Sequence, residues 1–328
     1  MQKSTYFPSL KEFLKLSKKY NVIPVYKEIN ADLDTPVSAF LKITKDDYVF
    51  LFESVEGQEK IARYSFLGSN PSLIIKSKGI NIQVICGQER NARRYVTDTN
   101  PLDEIKKIMQ DFKAPSIKGL PRFYGGLVGY IGYDTVRFFE EIPDKNPDDL
   151  KLFDSCFILT DTVLIFDHVK HTMKLISNII LPKTGQKFSQ NKKTKIYYGA
   201  LKKIESLHTD LLRPLIEKEI KKHIAKPKIR ANFKKAQFQA GVAKAKSYIK
   251  RGDIIQVVLS QRFSAKIDKQ PFDIYRDLRS INPSPYMFFL KLKDIILGGA
   301  SPEILVRCEE GIVSTRPIAG TRPRGKNE

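Results

Sequence analysis

Short apolar runs cut by turn residues constrain this chain more than any other feature of it. "VIPVYKEI" (22–29), "YVFLFES" (48–54), "CFILTDTVLIFDH" (156–168) and "TMKLISNIIL" (172–181) are dense in Val, Ile, Leu and Phe and read as strands. "SLIIKSKGINIQVI" (72–85) reads as a hairpin with Gly79 in its turn. Helix starts are spelled out between them. Ser9 with Glu12 makes a capping box ahead of Leu10, Phe13 and Leu14, and Asn21 is the expected stop. Thr35-Pro36 and Asn100-Pro101 each place a capping side chain before a proline at the first helical position. Strands joined by hairpins and mixed with helices predict an α+β fold, with largely antiparallel sheets and helices packed outside.

Near residue 182 the composition shifts to Lys, Gln, Asn and Thr around one helix expected at about 194–212. The expected division is an N-terminal domain over 1–190, a helical linker over 191–232, and a second domain over 233–328. That last part opens with a helix carrying Phe238, Val242, Ala245 and Ile249 on one face. Lys250 and Arg251 suit the negative end of its dipole, and Gly252 suits the residue after its cap. "DIIQVVLSQRF" (253–263) is then expected as a strand, 271–281 as a helix, and "ILVRCEEGIVSTRPI" (304–318) as a hairpin.

Composition excludes some classes of function. Of 328 residues, 41% are hydrophobic and 28% charged, as in a globular chain. No apolar run approaches the roughly 20 residues that span a bilayer, so no membrane partner is expected. Three widely spaced cysteines (Cys86, Cys156, Cys308) argue against a disulfide framework and for a reducing, cytoplasmic setting. The net charge of +21 invites a nucleic-acid reading. The lysines are spread along the chain without a nucleic-acid-binding motif, so a solvated surface is the better account and no nucleic-acid partner is expected.

Single motifs say little alone. "GGLVGYIGYD" (125–134) lacks the Lys-Ser/Thr of a phosphate loop and is expected to serve close strand packing. "DHVKH" (167–171) is better read as a turn between strands than as a metal site. In "NPSPYM" (282–287), Pro283 and Pro285 suffice to end a helix.

Their order in the chain says more. "FLFESVEG" (50–57), "RYSFLGSNP" (63–71), "GYIGYD" (129–134), "GDIIQVVLSQRF" (252–263), "INPSPYMFF" (281–289), "GGASPE" (298–303) and "PIAGTRPRG" (317–325) follow one another. That series resembles the large-subunit family of anthranilate synthases over nearly the whole chain. The resemblance implies a chorismate-using lyase of tryptophan biosynthesis, fed with ammonia by a glutamine amidotransferase small subunit. It implies that Gly320 and Thr321 touch chorismate, with Arg322 and Arg324 supporting their loop. The similar aminodeoxychorismate synthases carry a nucleophilic lysine where this chain has Ala319, and isochorismate and salicylate synthases carry a water-activating lysine at Gln256. Alanine and glutamine offer neither chemistry, which leaves ammonia as the nucleophile. An aminodeoxychorismate synthase and a catalytically silent tryptophan-binding module are the alternatives.

The resemblance also implies feedback inhibition by tryptophan, held between the "LFES" segment (Glu53, Ser54) and "NPSPYM" (Asn282, Pro285, Tyr286, Met287). Phe52 stands where the family has leucine. The family's catalytic histidine and the glutamates that hold Mg²⁺ belong to later motifs absent from this sequence. The chorismate-binding half is therefore expected to be incomplete, Mg²⁺ to find its ligands beyond residue 328, and residues 1–328 alone to be inactive.

Overall fold

The computed structural model describes residues 6–44, 46–54, 63–87, 91–182, 188–215, 227–317 and 325. In chain order the first elements are β1 (Tyr6–Phe7), α1 (Leu10–Leu16), β2 (Val22–Asn30), α2 (Pro36–Ile43), β3 (Tyr48–Glu53) and β4 (Tyr64–Ser69). Next come β5 (Leu73–Lys78), β6 (Asn81–Cys86), β7 (Arg93–Val96), α3 (Pro101–Gln110) and β8 (Gly126–Ile131). The strands β9 (Ser155–Thr160), β10 (Thr162–Asp167) and β11 (Thr172–Ile180) lead into α4 (Gln190–Leu211). Then follow β12 (Arg230–Ala231), α5 (Lys235–Arg251), β13 (Phe263–Ser264), α6 (Pro271–Ile281), β14 (Tyr286–Leu292), β15 (Ile295–Ser301), β16 (Arg307–Glu309) and β17 (Ile312–Ser314).

Packing divides the chain into two compact units: residues 1–215 with 277–302, and 216–276 with 303–328. The first unit holds an eight-stranded sheet ordered β1-β2-β11-β10-β4-β3-β14-β15 and a five-stranded sheet ordered β7-β6-β5-β9-β8. Every neighbouring pair in both sheets is antiparallel. Tyr48, Phe50, Leu290 and Leu292 of the large sheet pack with Ile74, Ile85, Val128, Cys156 and Ile158 of the small one. Because β3 is covered on both faces, Val49, Phe50 and Leu51 are all buried, and its sequence is a continuous apolar run rather than an alternating one. Helix α4 lies within the stretch that composition marked as a linker. It packs on β2 and β11 of the first unit, burying Tyr197, Ala200, Ile204 and Leu211. Lys27 fastens it there, donating to Glu205 at 2.8 Å.

The local signals operate as their chemistry requires. Ser9 and Glu12 close a capping box, Thr35 and Asn100 cap α2 and α3 ahead of prolines, and Gly252 ends α5 in the left-handed region at φ 81°. Gly129 lies on β8 opposite Phe157 of β9, and a Cβ there would stand 1.9 Å from the Cys156 carbonyl oxygen.

Three expectations change. Helix α1 ends at Leu16, and Asn21 is instead a buried clamp that donates to the Asp111 carbonyl at 2.6 Å and accepts from the Lys113 amide at 2.7 Å. In the second unit "DIIQVVLSQRF" is not a strand: only Phe263–Ser264 pairs, with Arg230–Ala231. A strand exists by bonding to a neighbour, and among the described residues none pairs with 254–262, where Ile255 is 96% exposed. Helix α5 forms with its apolar residues on one side, yet none of them is buried and Ile249 is exposed.

Gly129→Ala is expected to cost about 1–3 kcal/mol, since backbone rather than a flexible side chain must yield. A lower urea midpoint at unchanged slope is the measurement that checks it.

Candidate functional site

At one end of the large sheet, two segments remote in sequence come together. β3 ends at Glu53, and the β3–β14 register sets Glu53 opposite Met287. Both are buried. Helix α6 stops at Ile281, with the Asn282 amide closing its last turn on Leu278 at 2.8 Å, and Pro283 and Pro285 prevent its continuation. Between these prolines Ser284 is buried. Its hydroxyl donates to the Ser301 carbonyl and accepts from the Tyr286 amide at 3.2 Å, which fixes where β14 begins. The motif is thus a stop for α6 and a start for β14, held by one hydroxyl.

Arg279, in the last turn of α6, reaches Glu53 with Nε 3.3 Å from Oε2. The Glu53 side chain is 2% exposed, so its charge depends on such a partner. Two polar atoms in this region are buried without a hydrogen-bond partner: Arg279 Nε and the Ser54 hydroxyl. Native interiors rarely leave such groups unpaired, and when they do a ligand site is one reason.

His168 belongs to the same neighbourhood. It opens the β10–β11 turn, bonds the Arg63 carbonyl through its amide at 2.9 Å, and lies with Nε2 2.7 Å from the Ser65 hydroxyl. Burial pushes its pKa down from 6.5; Asp167 opposes this, while Arg279 and His171 add to it. Asp167 beside it is buried and takes a two-pronged contact from Arg63 at 2.8 and 3.2 Å. Burial works to raise the Asp167 pKa, and the hydrogen bonds from Arg63 and Lys170 outweigh it and leave the carboxyl below its ordinary value.

The structure therefore brings together Glu53, Ser54, Pro285, Tyr286 and Met287 at the β3–β14 junction, with Asn282 exposed at the end of α6. Arg279 and His168 are additions that motif reading missed. Nothing local marks them: His168 reaches the site because β10 pairs with β4, and β4 with β3. Gln256 belongs to the second unit and is exposed in its unpaired segment. Ala319, Gly320 and Thr321, with Arg322 and Arg324, fall outside the described residues. Among the described residues no cluster of three His, Cys, Asp or Glu could hold a metal ion, and no helix is long and apolar enough to cross a membrane.

Ser284→Ala is expected to destabilise the first unit by about 1–3 kcal/mol, because the Tyr286 amide and the Ser301 carbonyl both lose this partner. Urea unfolding of the variant against the parent chain measures it.

Comparison with known proteins bears on this geometry. The model of the chorismate binding enzyme family matches residues 49–328. Anthranilate synthase component 1 of Acetivibrio thermocellus is 42% identical over 332 residues, covering 98% of this chain and 64% of that protein. Its counterpart in Aquifex aeolicus is 42% identical over 324 residues, covering 98% and 63%. The crystal structure of anthranilate synthase component I from Streptococcus pneumoniae TIGR4 superposes with a TM-score of 0.60 at 28% identity, covering 88% of this chain and 60% of that one. The chain thus spans somewhat over three-fifths of these relatives' length. With a match reaching from β3 through the β14 junction to the last residue, the chain belongs to the chorismate binding enzyme family.

Proposed function

We propose that this chain is part of the large subunit of an anthranilate synthase, which converts chorismate and ammonia to anthranilate and pyruvate in the cytoplasm. Ammonia adds at ring carbon 2 as the ring hydroxyl leaves, and elimination of pyruvate then restores the aromatic ring. The ammonia comes from glutamine through an amidotransferase small subunit, and tryptophan inhibits by occupying the site at Glu53, Ser54, Asn282, Pro285, Tyr286 and Met287. The observation that carries the regulatory part is the β3–β14 junction. Two motifs some two hundred residues apart meet there around a buried carboxylate and two unpartnered polar atoms. The family match and the relatives named above support the chemical part.

On this reading Gly320 and Thr321 bind chorismate, and Ala319 leaves the space beside the ring open to free ammonia. Gln256 cannot serve as a base, so water is not activated there. Mg²⁺ does not fit any cluster among the described residues, and no step is assigned to it.

Residues 1–328 by themselves are expected to form no anthranilate from chorismate and ammonium, even with Mg²⁺ and an amidotransferase. Anthranilate fluorescence from the purified chain alone would overturn this. Joined to the remaining portion of the Acetivibrio thermocellus relative, the same residues are expected to become active with ammonium. In that fusion Ala319→Lys should sharply reduce the product, because a long cationic side chain fills the ammonia position. Undiminished anthranilate, or aminodeoxychorismate in its place, would remove the grounds for this choice of reaction. Ser54→Phe in the active fusion is expected to relieve inhibition by millimolar tryptophan while turnover is kept.

A further inference from the structure

Between β8 and β9 the chain makes a long excursion. A 3₁₀ turn over Tyr133–Phe138 leads into residues 141–153, which have no regular structure. Loops of that length are uncommon in compact domains and usually serve a function. This one is fastened in place. Arg137 donates to the Ile142 carbonyl at 3.0 Å, and Lys78 of β5 meets Asp148 at 2.9 Å. Yet it turns apolar side chains outward, with Tyr133 81%, Phe139 60% and Leu150 54% exposed. It is also acidic on a chain whose net charge is +21: residues 134–150 hold six Asp or Glu and two Lys or Arg. Glu140 and Glu141, both exposed, directly follow Phe139.

A cleft of the opposite character lies between α1 and the start of α4, in the same unit. It measures about 640 Å³, and Leu10, Leu14 and Phe188 supply its apolar lining. Lys11, Lys15 and Lys18 rim it and are exposed. Lys193 lines its α4 side and donates to the Ser17 hydroxyl at 3.1 Å. Among the described residues no Asp or Glu lines this cleft, so its cations have no anion between them. No residue of 131–153 lines it either, so a chain's own loop does not fill its cleft.

We infer that segment 139–141 of one copy docks in the α1–α4 cleft of a second copy. The Phe139 ring enters among Leu10, Leu14 and Phe188, and the Glu140 and Glu141 carboxylates meet the ammonium groups of Lys11 and Lys15. An aromatic anchor in an apolar hollow with charges at its rim is the common anatomy of a protein interface. A twofold axis lets two copies exchange the contact, each loop in the other's cleft, so that the pair closes without recruiting further chains. The inference is independent of which reaction the protein catalyses.

Sedimentation equilibrium of the purified 328-residue chain, at micromolar concentrations and at low and high salt, reads the association. The parent is expected to form dimers that weaken as salt rises, because the rim contacts are exposed ion pairs. Glu140→Lys with Glu141→Lys, and separately Lys11→Glu with Lys15→Glu, are each expected to raise the dimer dissociation constant at least about tenfold, since like charges then face one another. Mixed in equal amounts, the two double variants are expected to associate again, because each loop then meets a cleft of opposite charge. All four positions are exposed, and circular dichroism checks that folding is unchanged. If either pair fails that check, Phe139→Ala alone carries the test, and an undiminished dimer in it overturns the inference. A monomeric parent, a dimer insensitive to salt, folded double variants that associate as the parent does, or a folded mixture that fails to associate would each overturn it as well.

Discussion

The pairing of β3 with β14 is the contact on which the rest of this molecule depends. It joins Tyr48–Glu53 to Tyr286–Leu292, carries the β14–β15 hairpin into the large sheet, and sets Phe50 and Leu290 into the core shared with the small sheet. The same register places Glu53 opposite Met287. A slip of β14 by one residue would turn Leu290 away from that core and carry Met287, now opposite Glu53, to the other face. Core packing and site geometry are thus one constraint. The buried apolar ladder that stabilises the sheet also holds a carboxylate where it could not otherwise remain.

The polar groups that tie the first unit together are of two kinds. Ser284 and Asn21 are satisfied on both sides and act as fasteners, one at the start of β14 and the other between β2 and the segment after α3. Arg279 Nε and the Ser54 hydroxyl are not satisfied. Groups of the first kind explain local order. "NPSPYM" contains a residue of the first kind, Ser284, three residues after α6 ends and close in sequence to Arg279, which is of the second.

How much of this could be read from the sequence depended on distance along the chain. Ser9 with Glu12, Thr35 with Pro36, Asn100 with Pro101, and Gly252 act within one turn of a helix, and each performs the role its chemistry announces. "DIIQVVLSQRF" has the composition of a strand, but a strand needs a partner that its own residues do not supply, and 254–262 remain unpaired among the described residues. Asn21 has the look of a helix stop, while its actual partners lie some ninety residues away. In the site, Glu53, Ser54, Tyr286 and Met287 were legible through the motifs. Arg279 and His168 were not: one arrives on a helix and the other through two successive strand pairings.

The return of residues 277–302 into the first unit has a consequence for how the protein is made. On the ribosome, β3 emerges more than two hundred residues ahead of β14, an interval of tens of seconds at roughly 5–20 residues per second. Until β14 arrives, one edge of β3 presents open backbone groups along Val49, Phe50, Leu51 and Phe52. A nascent chain in that state is a template for unwanted pairing with its neighbours. The first unit can complete itself only after residues 216–276 of the second have been synthesised, so the two mature in overlapping order.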